Sequence, residues 1–93
     1  MSDERNVPFR FYRLKCDSQW FDAVKNGSKT FEVRLNDRGY QAGDEIELFE
    51  TEGHGSWHTG RKLRATISYV FSGIGMDRSG CGYVVLGLRD VNE

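Results

Sequence analysis

The chain has 93 residues, thirteen Lys and Arg against fourteen Asp and Glu, and a formal net charge of −1. Its length suits one domain with one small core, and its 38% hydrophobic content is too rich for a disordered chain. The near-zero charge excludes a polycation that holds nucleic acid by bulk attraction. Residues 1–38 carry a balance of +2 and residues 39–93 a balance of −3, so a nucleic-acid role would need a local basic patch.

Residues 1–8 are polar and read as a disordered lead into a single domain over residues 9–93. They hold no apolar leader, and no apolar run approaches the ~20 residues of a membrane helix. The expectation is a soluble, cytoplasmic protein with no membrane partner. From Phe9 the pattern alternates, with Phe9 and Phe11 against Arg10 and Arg13, which predicts a strand. A helix of about ten residues follows. Asp17 or Ser18 caps it, Trp20, Phe21 and Val24 form its apolar face, and Gly27 ends it.

Residues 30–35 predict a second strand. Phe31, Val33 and Leu35 take one face; Thr30, Glu32 and Arg34 take the other. Asn36, Asp37, Arg38 and Gly39 form a turn, and Ala42, Gly43 and Asp44 a bend. Residues 45–50 predict a strand with Ile46 and Leu48 on one face. Residues 52–60 read as a polar, Gly-rich loop holding His54, Trp57 and His58. A long strand over 62–71 keeps Leu63, Ala65, Ile67, Tyr69 and Phe71 in register. Residues 72–82 read as a second Gly-rich loop. Residues 83–89 are nearly all apolar and predict a strand buried on both faces. Five short strands with one or two short helices make a mainly β fold. The expected architecture is a small β-barrel, in which closure removes exposed edges.

Several chemistries find no support. Cys16 and Cys81 are too few for a disulfide framework and lack metal-type spacing, so both are expected as free thiols. His54 and His58 lie among glycines, where a helical ligand pair is not expected, and no metal site is predicted. Gly73, Gly75 and Arg78 depart from a dinucleotide fingerprint, because Arg78 stands where Gly is required. No cofactor is expected.

The informative segment joins the helix end to the second strand. Gly27 turns the chain, and Lys29, Glu32 and Arg34 then emerge close together, with Glu32 and Arg34 on one strand face. Two cations beside a carboxylate can hold a phosphate while the carboxylate orients the arginine or accepts from a base amino group. The alternative is a solvated edge with an ion pair worth at most about 1 kcal/mol. Arg38, Tyr40 and Trp57 would add a charge and two stacking faces, a combination suited to unpaired bases. Core or loop anchoring is the other reading of the two rings.

Gly27, Lys29, Glu32 and Arg34 resemble the GxKxxExR signature of ASCH domains in the PUA-like superfamily. Further segments are similar to the DUF3850 family, which occurs in bacteria and phages: Lys29 through Arg34, Asn36 through Arg38, Tyr40, Gly43 and Asp44, Thr59 through Arg61, Ile67 through Val70, and Tyr83 through Gly87. The resemblance covers residues 9–89. It implies a PUA-like, ASCH-like small barrel with a cleft beside the signature strand, lined by Lys29, Glu32 and Arg34, and RNA or a nucleotide-like ligand as partner. Some ASCH relatives are amidohydrolases acting on an acetylated cytidine, which would give Lys29, Thr30 and Glu32 catalytic roles. Glu32 stands here where those enzymes carry their hydroxyl nucleophile. A third reading is a non-catalytic module for a protein partner, suggested by the acidic second half and the polar 52–59 stretch.

Overall fold

The computed structural model describes residues 9–76 and 82–93. The expected disordered lead over residues 1–8, the 77–81 part of the second glycine-rich loop and Cys81 lie outside them. The described residues form β1 (Phe11–Asp17), α1 (Ser18–Lys25), β2 (Phe31–Leu35), β3 (Glu45–Glu52), β4 (Trp57–Met76) and β5 (Gly82–Asn92). The strands make one sheet in the order β1-β3-β4-β5-β2. β1 runs parallel to β3, and every other neighbouring pair is antiparallel.

The sheet is mostly β architecture curled into a half-barrel. Its ladder does not close into a ring: β1 and β2 are consecutive in the chain yet lie at opposite edges. The helix makes that crossing. Asp17 caps it by accepting from the Gln19 N–H at 2.9 Å. The helix is shorter than expected at eight residues, and Gly27 (φ 88°) turns the chain out. Phe21 and Val24 pack into the core, whereas Trp20 is about half exposed. An eight-residue helix buries a narrow stripe, and Phe21 and Val24, one turn apart, already define it.

The core draws Leu14 and Cys16 from β1, Ile46 and Leu48 from β3, Leu63, Ala65 and Ile67 from β4, and Val84, Leu86 and Leu88 from β5. Asp44 ties the entrance together. Its buried carboxylate accepts from the backbone N–H groups of Arg10 and Gln41, both at 3.0 Å. Gly43, at φ 97°, sits where any side chain would run into the Phe9 ring.

Four expectations change. The polar stretch at 52–60 is a tight hairpin turn, not a long loop, with Ser56 N–H donating to Gly53 O at 3.1 Å. Gly53, His54 and Gly55 all have positive φ there, so β4 already starts at Trp57. β4 also runs past Phe71 to Met76. The β4–β5 register shifts between Ile67 and Tyr69, so Val70 packs against the core while Tyr69 and Phe71 face outward. An inserted residue at a bulge flips every later side chain to the other face. Finally, β5 is not buried on both faces: Val84, Leu86 and Leu88 are buried, but Tyr83 is about half exposed.

Candidate functional site

The second strand points the opposite way from what its composition suggests. Phe31, Val33 and Leu35 face outward at 42%, 48% and 42% exposure, while Glu32 turns inward at 6%. The register explains the choice. Glu32 stands opposite Leu86 and Arg34 opposite Val84, and both β5 partners belong to the core.

A buried carboxylate needs compensating partners. Lys29 Nζ and Arg34 supply them, each 3.4 Å from a different oxygen of Glu32. Both contacts are looser than the 2.7–2.9 Å usual for charge-assisted bonds, and both cations are shared. Lys29 also donates to the Phe31 carbonyl at 2.7 Å and sits 4.9 Å from the Phe31 ring centre. Arg34 also donates to the backbone carbonyl of Lys15 on β1. Its Nε is buried without a hydrogen-bond partner.

Cys16 Sγ lies 4.0 Å from the nearer Glu32 oxygen. Burial, reinforced by the Glu32 charge, pushes its thiol up to about 11. It is therefore a neutral core group rather than a nucleophile.

Arg34 also lines a cavity of about 260 Å³ with Arg38, Tyr40 and Tyr83. Tyr12 organises that wall. Its hydroxyl donates to Arg38 O at 3.1 Å, and its ring meets Tyr40 edge-on at 4.9 Å. Tyr40 is buried, which raises its phenol above the ordinary value. At 6% exposure it leaves the cavity little open ring surface for stacking. Tyr83 offers an exposed ring in the same cavity. On the other side of Glu32, Lys29, Glu32 and Trp20 line a hollow of about 390 Å³ with Phe31 and Val33.

The structure thus brings together Lys29, Glu32 and Arg34, and joins Arg38 and Tyr40 to them through the Arg34 cavity. Trp57 belongs elsewhere. It lines a hollow of about 580 Å³ with Asp22, Glu50 and Arg61. Thr30 is exposed just before β2. Sequence reasoning missed Tyr83 and Trp20 as site residues. The pairing of Leu35 with Tyr83 is a cross-strand fact that no local pattern carries.

The Trp57 hollow is polar and internally paired. Arg61 Nε and one terminal nitrogen bind the two Glu50 oxygens at 2.9 Å each, and the same terminal nitrogen reaches Asp22 on α1 at 2.9 Å. Thr59 donates to Glu50 at 2.5 Å. The Arg61 and Thr59 bonds hold the Glu50 carboxyl below its ordinary value. This cluster docks the helix onto the β3–β4 hairpin. Among the described residues, no three His, Cys, Asp or Glu side chains group to hold a metal ion, and no helix is long and apolar enough to cross a membrane.

A family model described as a domain of unknown function, DUF3850, matches residues 11–88. The chain is also 37% identical over 62 residues to an uncharacterized 12.9 kDa protein in the GpA 3′ region of Escherichia phage P2. The match covers 66% of this chain and 54% of the phage protein, so the chain spans about half the length of that relative.

Proposed function

The chain belongs to the DUF3850 family, and we propose that it is a small PUA-like nucleic-acid-binding domain of the ASCH type. Its ligand is RNA or a nucleotide-like molecule, held at the strand of Lys29, Glu32 and Arg34. One observation carries the reading: β2 turns its charged face, not its apolar face, into the half-barrel. For stability alone a well-packed apolar residue at position 32 would serve as well, because a buried ion pair seldom outweighs its desolvation. A buried carboxylate held loosely between two cations is better explained as a preorganised polar site.

Each residue then has a task. The part-exposed guanidinium of Arg34 and the ammonium of Lys29 take phosphate oxygens. Glu32 orients both cations and accepts from a base amino group. Arg38 adds a cation to the cavity, and Tyr83 an exposed ring for a stacked base. The cavity's size, about 260 Å³, suits one base or one phosphate group. Hydrolysis of an acetylated cytidine amide receives less support, because Thr30 is exposed just before β2 and Glu32 is buried and paired with Lys29 and Arg34.

Binding to a pool of short single-stranded RNAs tests the reading. With two or three phosphate contacts, the slope of log K against log salt should be roughly −1.4 to −2.1. Arg34→Ala and Arg38→Ala should each weaken binding. Salt-insensitive binding, or binding unchanged in both variants, would overturn it.

A further inference from the structure

The outer face of the sheet carries an apolar block that reaches beyond the ligand site, although Val33, Leu35 and Tyr83 also line the Arg34 cavity and Phe31 and Val33 the hollow beside Lys29. Across β4, β5 and β2, Tyr69 stands opposite Gly87 and Gly87 opposite Phe31. Phe71 stands opposite Val85 and Val85 opposite Val33, and Tyr83 pairs with Leu35. Cross-strand partners share a face. Their chain neighbours Glu32, Val84 and Leu86 are buried and Val70 packs against the core, so this block faces out. It holds six of the ten large apolar side chains exposed among the described residues, with exposures from 42% to 66%.

An antiparallel sheet with one solvated face normally alternates apolar-in and polar-out. Here three neighbouring strands place apolar groups outward in matched rows, and none of the paired positions is charged. Aromatic side chains present about 150–250 Å² each, so three half-exposed rings, Tyr69 and two aliphatic side chains offer roughly 500 Å² of contiguous apolar surface. A standard interface covers about 800 Å² per partner, about 56–65% of it non-polar, or roughly 450–520 Å². The block therefore matches the apolar share of one side of such an interface.

We propose that this face is the dimer interface of the protein, packed against the same face of a second copy. An uncharged, aromatic-rich surface can pack against a copy of itself, and two sheets can stack face to face at about 10 Å. A two-fold arrangement closes the assembly at two copies and covers both blocks. Glu32 and Arg34 stay on the inner face, but Val33 and Tyr83 border their hollows, so pairing and ligand binding would compete for those side chains.

Sedimentation velocity on the intact chain from about 1 to 100 µM decides this. The expected result is a concentration-dependent rise from 10.7 kDa to twice that mass. Val33→Lys, which places a charge in the middle of the block, should leave a monomer with an unchanged circular dichroism spectrum. If that variant fails to fold, Tyr69→Lys at the most exposed of these positions gives the same readout. A wild-type protein that stays monomeric across the range overturns the proposal, whatever else the face binds. A dimer that survives a folded charge variant overturns it equally.

Discussion

Arg34 on β2 donates to the backbone carbonyl of Lys15 on β1, so a side chain joins two sheet edges that no ladder joins. The same guanidinium is one of the two partners of buried Glu32. Removing it does two things at once: it opens the seam of the half-barrel and leaves a buried carboxylate with Lys29 alone. Arg34→Ala should destabilise the fold by about 2 kcal/mol, given the usual penalty for stranding a buried polar group. Arg34→Lys should recover only part, because an ammonium lacks the fork that reaches two acceptors. Urea unfolding of the three proteins measures this; equal midpoints would remove Arg34 from the account of closure.

Glu32→Gln separates charge from shape. The amide keeps the volume and one acceptor oxygen but frees Lys29 and Arg34 from a shared anion. Under the proposed function, affinity for a short RNA should rise a few-fold at low salt. Discrimination among bases should fall, because the carboxylate acceptor is gone. Titrations with oligomers of each base read both effects. Weaker binding to all of them would mean that Glu32 does not oppose the phosphate charge.

The inversion of β2 marks the limit of what the sequence could say. Alternation assigns Phe31, Val33 and Leu35 to one face and Glu32 and Arg34 to the other, but it does not state which face is inside. The inward side is set by the pairing of Glu32 with Leu86 and of Arg34 with Val84, a relation between residues fifty or more positions apart. The long fourth strand failed differently. Its alternation was legible through Ile67, and one inserted residue near Ser68 reversed it for Tyr69 and Phe71. Gly87 gives a hint in hindsight, since a side chain there would crowd the Ser68 hydroxyl. The grouping of Lys29, Glu32 and Arg34 was readable because it is local. The partners Trp20 and Tyr83 were not, because long-range packing brings them there.

Asp44 offers a test of the scaffold away from the site. Its fully buried carboxylate accepts from the N–H groups of Arg10 and Gln41, one leading into β1 and one in the turn before β3. Asp44→Ala would leave two backbone donors without that acceptor and should cost about 2–4 kcal/mol. Asp44→Asn keeps one acceptor oxygen and should cost less. Thermal unfolding ranks the three proteins, and an alanine variant as stable as wild type would show that water replaces the carboxylate.

Acid stability should depend on Glu50. Bonds from Arg61 and Thr59 hold its carboxyl below the ordinary 4.5. The unfolded chain therefore takes up the Glu50 proton first as pH falls. The stabilisation is fully present above about 4.5 and is lost as pH drops through the lower folded value. Arg61→Gln removes the main cause, so the variant should be less stable at pH 7 and lose less on acidification to pH 3. Urea midpoints of the two proteins across that range check the sign. Parallel curves would mean that other carboxylates dominate the acid limb.

Cys16 gives the opposite pH dependence and a direct view of the core beside Glu32. Its thiol is raised from 9.0 to about 11, first by burial and then by the Glu32 charge. In the unfolded chain the thiolate forms near the ordinary value. This group's contribution is therefore intact below pH 9 and is lost as pH rises toward 11. Thiolate is the reactive form, so native Cys16 should resist a thiol reagent at pH 8 and react within minutes once urea unfolds the chain. Cys81→Ser makes the assay specific. Adding Glu32→Gln should lower the Cys16 value and speed native labelling as pH approaches 10, because the larger of the two charges that raise it is removed. Urea titration of that double variant must confirm that it stays folded. Given a folded variant, unchanged labelling would mean that burial, with the Asp17 charge, holds the proton on sulfur without help from Glu32.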